Sequence, residues 1–197
     1  MSAGVSLWLV RHGETEWSLS GKHTSRTDVP LTDRGRERAR ELRAYLAGRT
    51  FDEVLVSPMI RARETCAIVG LEGQAKVEEA LREWDYGVYE GRTTKEIREE
   101  KPEWSVWKDE IVGGEAVEQV GARADQVIAR ALGLKGGKAE ANVALFAHAH
   151  ILRILAARWL GMDPKAGQFF ALSTGSVSVL GWERETRVIE SWNRSFE

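Results

Sequence analysis

Val5-Ser6-Leu7-Trp8-Leu9-Val10 leads directly into "RHGETEW", residues 11–17. Five of those first six residues are apolar, the pattern of a buried strand. Charged and ionisable side chains are costly to bury unless they are paired. Either the strand simply ends at Arg11 and its charges are solvated, or it delivers Arg11 and His12 to a site.

The rest of the chain repeats the pattern. Glu53 to Val56 reads as a second buried strand and ends in Ser57-Pro58, where a helix running through Arg61 and Thr65 to about Val69 is expected to start. Asn142 to Ala147 is a third apolar strand, ending in "HAH" and followed by an apolar helix over Ile151 to Leu160. Thr32 is placed to cap a helix whose apolar positions Ala39, Leu42, Tyr45 and Leu46 recur at helical spacing. Lys76 to Leu81 is a short strand or an extended approach, Glu115 to Leu132 a helix, and 133–138 a loop. Val177 to Trp182 and Arg187 to Trp192 form a closing hairpin turned near Glu185. Between them, Trp84 to Glu118 is charged, rich in tryptophan and broken by Pro102 and Gly113-Gly114, and is expected to be an excursion above the sheet. Strands alternating with helices predict a layered α/β fold with a largely parallel sheet. Ligands bind at the carboxyl ends of such strands. Arg11-His12, Arg61 and His148 all follow strand ends, so they can converge on one edge.

At 197 residues the chain fits one domain with a substantial core. Its apolar fraction of 43% and charged fraction of 29% are ordinary for a globular protein. A net charge of -2 offers no general field for nucleic acid or anionic lipid, so an anionic substrate needs a local cluster of arginines. The lone Cys66 permits no internal disulfide and fits a reducing compartment. No apolar run reaches transmembrane length and no signal-peptide pattern opens the chain, so no membrane association and a cytoplasmic location are expected.

Two guanidinium groups match a phosphate dianion in geometry and charge, and the free N–H groups of a helix starting at Pro58 would add to such a site. A neutral imidazole can take a phosphoryl group, giving a covalent intermediate that water cleaves. A second histidine, if protonated, stabilises charge on the equatorial oxygens. Glu83, beside Trp84 and Tyr86, can give the leaving alcohol its proton if its surroundings keep it protonated. The arginines carry the compensating charge, so neither metal nor cofactor is expected.

Together, "LVRHGETEW", "SPMIRARET", "LREWDYGVYEG", "GGEAVEQV" and "FAHAHILR" resemble the histidine phosphatase (phosphoglycerate mutase-like) superfamily, over residues 7 to about 192. The resemblance implies a three-layer α/β/α fold with a mostly parallel central sheet, in a single domain whose 84–118 segment lies over the active site. It implies His12 as the phosphohistidine nucleophile, Arg11, Arg61 and His148 as the phosphate pocket, and Glu83 as proton donor, with Asp85 and Glu90 the other carboxylates nearby. It places Ser18, where many relatives have asparagine, with Thr24, Ser25, Tyr86, Ala149, His150 and Arg153 about the substrate. Ala149 stands where the family has glycine, which is harmful if φ is positive there. His150 either binds substrate or caps the helix from Ile151, and Arg153 either meets a second phosphate or pairs with a carboxylate. "HAH", "REWDYG" and Arg153 most resemble the sedoheptulose-bisphosphatase-like branch.

The implied activity is metal-independent hydrolysis of a small phosphorylated metabolite, a sugar phosphate or bisphosphate. The alternatives are a mutase, for which the cations Arg92, Lys95, Arg98, Lys101 and Lys108 lack a tight arginine pair, and a metal-dependent hydrolase. The latter would set His148 and His150 side by side on a continuing strand. A non-catalytic binding module would have no need of His12 and Glu83 together. Trp104 and Trp107 either pack on one helix face or belong to a lid that limits substrate size. The sequence leaves the oligomeric state open.

Overall fold

Six strands join in one sheet in the order β3-β2-β4-β1-β5-β6. The structure is a computed structural model that describes residues 4–134 and 140–196. The strands are β1 (Gly4–Arg11), β2 (Glu53–Val56), β3 (Ala75–Val77), β4 (Glu140–Ala147), β5 (Val177–Glu183) and β6 (Thr186–Arg194). β1, β2, β3 and β4 run parallel, and β5 and β6 add an antiparallel edge. The α-helices are α1 (Glu16–Ser20), α2 (Asp33–Leu46), α3 (Ile60–Val69), α4 (Thr94–Glu100), α5 (Val117–Gly133) and α6 (Ala149–Trp159).

Side chains alternate across a strand, and this sheet is buried on both faces. Leu7 and Leu9 of β1 and Val143 and Leu145 of β4 face one apolar cluster, closed by α5 and α6 through Val120, Ala124, Leu152 and Leu155. Val10, Ala144 and Phe146 face the other, closed by α2 and α3 through Leu42, Leu46, Ala62 and Cys66. This is the expected three-layer α/β/α arrangement with a mostly parallel sheet. Thr32 caps α2 as read from sequence, its Oγ1 accepting the Gly35 N–H at 3.0 Å. The hairpin turns at Arg184-Glu185, with Arg184 at φ 56°. Of the expected loop at 133–138, residues 135–138 lie outside the described residues.

Three local expectations are corrected. Helix α3 begins at Ile60 rather than Pro58, because the Asp28 carboxylate, from a remote loop, accepts the Ile60 N–H at 2.7 Å. A carboxylate therefore holds the N–H that was expected to face a substrate anion. Second, β4 stops at Ala147 and α6 starts at Ala149, with His148 at the N-cap position. His148 and His150 thus sit on a turn and a helix rather than on one strand face, which removes the geometry that the metal reading required. Nor does His150 cap the helix. Third, Trp104 and Trp107 lie outside any helix. Trp104 packs on Tyr89 and His23, and Trp107 on Trp84 and His150. The 84–118 segment contributes both to the same apolar cluster as α5 and α6.

The glycine of Arg-His-Gly is explained by a close approach. A Cβ on Gly13 would lie 2.5 Å from the Gly35 carbonyl oxygen, so the loop after β1 can lie directly on the first turn of α2 only without a side chain.

Candidate active site

The carboxyl ends of β1, β2 and β4 are stitched together by backbone bonds. The His12 N–H donates to Ala147 O at 3.0 Å, the Ser57 N–H to Phe146 O at 2.9 Å, and the Gly175 N–H to His12 O at 2.9 Å. Beside this seam opens a cavity of about 180 Å³. Of the expected residues, Arg11, His12, Ser18, Thr24, Glu83, Tyr86, Ala149 and His150 form its wall.

His12 is buried, and its Nδ1 lies 2.6 Å from Gly13 O. A carbonyl only accepts, so Nδ1 carries the hydrogen and Nε2 keeps its lone pair. Burial, then the charges of Arg11 and Arg61, hold its pKa well below that of a free histidine, so the ring is neutral at pH 7. Thr65, one turn beyond Arg61, steadies this loop by accepting the Gly13 N–H at 3.0 Å while donating to Arg61 O at 2.7 Å.

His148 lies 5.1 Å from His12, ring centre to ring centre. Its Nδ1 accepts from Arg61 Nε at 3.1 Å, and its Nε2 lies 2.7 Å from Ser57 Oγ. Since Arg61 can only donate, Nδ1 is unprotonated and His148 is neutral. Burial and the Arg61 charge also press its pKa well down. The condition set for the second histidine, that it be protonated, is therefore not met. Arg61 is fully buried; its Nη1 donates to Thr27 O at 3.1 Å, and its Nη2 to Thr24 O and Ser25 O, both at 3.3 Å. Arg11 donates to Leu172 O through Nη1, while its buried Nε has no acceptor among the described residues. Burial lowers its pKa to about 10, against the opposing pull of Glu83 and Tyr86. Arg11 as a residue also lines the cavity, where a guanidinium is suited to hold an anion.

Of three neighbouring carboxylates, only Glu83 reaches the cavity. Its Oε1 accepts from Trp84 N at 3.0 Å and Ile151 N at 2.9 Å, and its Oε2 from His150 N at 3.0 Å. The first turn of α6 thus closes on Glu83. Asp85 pairs with Arg26, and Glu90 accepts the Ser25 and Thr27 N–H groups, tying down the loop that carries them. Tyr86 Oη lies 2.7 Å from His150 Nδ1, and Trp84 and Trp107 flank the same imidazole. Ala149 is the first residue of α6 and has no positive φ, so the missing glycine costs no backbone strain.

Ser18 faces the cavity but also closes the capping box of α1 with Thr15. Four expected residues do not join this wall: Arg61 and His148 are buried behind it, and Ser25 and Arg153 are drawn elsewhere. Ser25 lines a neighbouring cavity with Arg26, Arg82 and Arg123, and donates from Oγ to Glu83 O at 3.3 Å. Arg153 donates to Gly167 O at 3.0 Å and to Gln168 O at 3.2 Å, its guanidinium lying over Trp107. It meets backbone carbonyls rather than the carboxylate or second phosphate anticipated. Sequence reasoning missed Thr15, Lys22 and His23, which also line the cavity. Apart from lying between "RHG" and the α2 cap, they carry no local signal. Cys66 is buried in the apolar layer, with burial pushing its thiol pKa to about 12. No helix among the described residues is long and apolar enough to cross a membrane, and no three His, Cys, Asp or Glu among them are grouped to hold a metal ion.

All four histidines of the chain have pKa values pressed below the free value by burial, His23 to about 4. Above pH 6.5 both folded and unfolded imidazoles are neutral, and nothing is gained or lost. Below it the unfolded chain takes up protons that the folded chain refuses, so stability falls as pH falls. For His23 alone the loss is about 1.4 kcal/mol per pH unit between pH 6.5 and about 4. Urea unfolding at pH 7, 6 and 5 should show this decline, and His23→Gln should make it shallower by about 1.4 kcal/mol per pH unit, the other three histidines keeping the rest. A flat profile in the parent protein would contradict the burial argument.

A profile of the histidine phosphatase superfamily (branch 1) matches residues 7–195. The chain is 41% identical over 184 residues to an acid phosphatase of Mycobacterium tuberculosis, covering 92% of this chain and 88% of that protein. It is 38% identical over 183 residues to the sedoheptulose 1,7-bisphosphatase of Saccharomyces cerevisiae, covering 78% of this chain and 67% of the other. The solved structure of the open reading frame Rv3214 of Mycobacterium tuberculosis superimposes with a TM-score of 0.89 at 38% identity, covering 96% of this chain and 97% of that one. With its layered sheet and with Arg11, His12, Arg61 and His148 gathered at one edge, the chain belongs to the histidine phosphatase superfamily, branch 1.

Proposed function

We propose that this protein is a metal-independent phosphomonoesterase that hydrolyses a small phosphorylated metabolite, a sugar phosphate or bisphosphate, through a phosphohistidine on His12. The observation that carries the reading is the His12 ring: neutral, fixed through Nδ1–H on Gly13 O, and bearing its lone pair on Nε2 at the wall of an arginine-flanked cavity. In the first step Nε2 attacks phosphorus, the ester P–O bond breaks, and the leaving alcohol takes a proton from Glu83. In the second, water attacks the phosphohistidine, gives its proton to Glu83, and inorganic phosphate departs with the electron pair returned to Nε2. Arg11 and Arg61 balance the phosphoryl charge. His148, neutral, holds the Arg61 guanidinium in place through Nδ1. Ser18, Thr24, Tyr86, Ala149 and His150 bound the space left for the alcohol.

Hydrolysis is favoured over mutase chemistry by the cations of the 84–118 segment. Arg92 pairs with Glu100, Arg98 donates to Trp104 O, and Lys101 donates to Tyr89 Oη. Neither these three nor Lys95 and Lys108 line the cavity, so they do not supply a second anion clamp for a bisphosphorylated cofactor. The relatives named above are themselves an acid phosphatase and a bisphosphatase. The lone buried Cys66 fits a reducing, cytoplasmic setting. Phosphate release from a panel of sugar phosphates in the presence of EDTA tests the proposal. Release that EDTA leaves intact is expected, and release that EDTA abolishes would put the metal-dependent reading first.

A further inference from the structure

The stretch "GGEAVEQV", residues 113–120, supplies nothing to the wall of the catalytic cavity, yet it grips the loop that carries Glu83. Residues 82–86 of that loop belong to no helix or strand. Gly114 makes the closest approach, since a Cβ there would lie 2.2 Å from the Asp85 carbonyl oxygen. Glu115 then pairs with Asp85 in both directions. Its N–H donates to Asp85 O at 3.0 Å, and its Oε2 accepts the Asp85 N–H at 3.0 Å. Glu115 O also accepts from Trp84 Nε1 at 2.8 Å.

Further along α5, Arg123 completes the grip. A guanidinium carries five N–H donors, and this one has an acceptor for each. Nε donates to Glu115 Oε1 and Nη2 to Glu115 Oε2, both at 2.8 Å. Nη1 donates to Ala80 O at 2.7 Å and to Arg82 O at 2.8 Å, and Nη2 also to Glu83 O at 3.4 Å. One side chain from a packed helix thus holds three carbonyls at and before Glu83, while its partner Glu115 holds the peptide groups of residue 85. Both residues line the neighbouring cavity and stand off the catalytic wall.

We infer that Arg123, braced by Glu115, is a positioning residue for Glu83, fixing the backbone so that the carboxyl stands where it can protonate the leaving alcohol. The inference rests on the phosphatase reading above, with Glu83 as the acid. The N–H groups of Trp84, His150 and Ile151 hold the Glu83 carboxylate, and Arg123 holds the main chain behind it. Proton transfer needs donor and acceptor about 2.6–3.2 Å apart, and a misplacement of about 1 Å can cost roughly 100-fold in rate. Lysine cannot replace this arginine, because an ammonium has three donors and no planar fork.

The test measures kcat/KM of Arg123→Ala and Arg123→Lys on two esters. Glycerol 3-phosphate releases an alcohol that needs a proton, and p-nitrophenyl phosphate releases a phenolate that does not. Arg123→Ala should lower the first about 10–100-fold and the second by no more than about threefold. Arg123→Lys, which keeps a cation beside Glu115, should show the same bias at smaller size and supplies the ratio if the alanine variant does not fold. Because a ratio is read, losses common to both esters cancel. Added to Glu83→Gln, either Arg123 substitution should cost glycerol 3-phosphate hydrolysis little more, since the proton it helps to deliver is already gone. A purely structural residue would slow both esters alike and add its full effect to Glu83→Gln, and either result overturns the inference while the phosphatase reading stands. If Glu83→Gln slows both esters equally, the acid assignment falls and takes the inference with it.

Discussion

His12→Ala should lower phosphate release by roughly 10⁴-fold or more while leaving a folded protein. The size of the loss follows from what remains. Arg11 and Arg61 still supply charge for a phosphoryl group, but the imidazole packed against His12 is tied up. His148 has Nδ1 engaged by Arg61 and Nε2 by Ser57, and His150 Nδ1 is engaged by Tyr86. Cys66 lies in the apolar layer with its thiol pushed far toward the protonated form. Removing one buried neutral imidazole leaves the backbone seam from His12 to Ala147 and Gly175 intact. The variant should therefore keep its circular dichroism spectrum and its affinity for inorganic phosphate within a few-fold. A variant that retains a tenth of the parent rate would exclude His12 as the phosphoryl acceptor.

Glu83→Gln separates the two halves of the reaction. For an alkyl phosphate, whose alcohol must be protonated as it leaves, kcat/KM should fall about 10²–10⁴-fold. For p-nitrophenyl phosphate, whose leaving group departs without a proton, the first step should be nearly untouched. Breakdown of the phosphohistidine still needs a base for the attacking water, so nitrophenol should appear in a burst followed by a slow steady rate. The substitution also turns one carboxylate oxygen into an NH₂ group facing backbone N–H donors from Trp84, His150 or Ile151, at a cost of about 1–3 kcal/mol in stability. An equal fall for both esters with no burst would show that Glu83 is not the acid.

The contrast between what the sequence told and what it hid lies in the range of the interactions involved. β1, β2 and β4 were legible because strands buried on both faces are continuous apolar runs, and the charges that follow mark where they surface. Arg11, His12, Arg61 and His148 could be placed for that reason. The Thr32 cap and the final hairpin are decided by neighbours a few residues away and were equally readable. The start of α3 was misjudged because its first N–H is taken by Asp28, 32 residues earlier in the chain. The protonation of His148 stayed open in the sequence because Arg61, a donor 87 residues away, fixes which ring nitrogen is bare. Ser25 and Arg153 have the right chemistry for a substrate site, but Glu83 O and the Gly167–Gln168 carbonyls draw them elsewhere. Trp104 and Trp107 keep helical spacing without a helix, since their rings are placed by His23, Tyr89, Trp84 and His150. Each of these outcomes depends on a partner that only the folded chain brings near.

The most direct measurement traps the intermediate. Glu83→Gln, mixed with p-nitrophenyl phosphate and quenched in alkali during the slow phase, is digested and its peptides are weighed. The account predicts one added phosphoryl group on the peptide containing His12, stable in alkali and lost in acid, and absent when His12 is also replaced by alanine. A phosphoryl group on another residue, or turnover with no phosphorylated peptide at any time, would contradict the phosphohistidine mechanism.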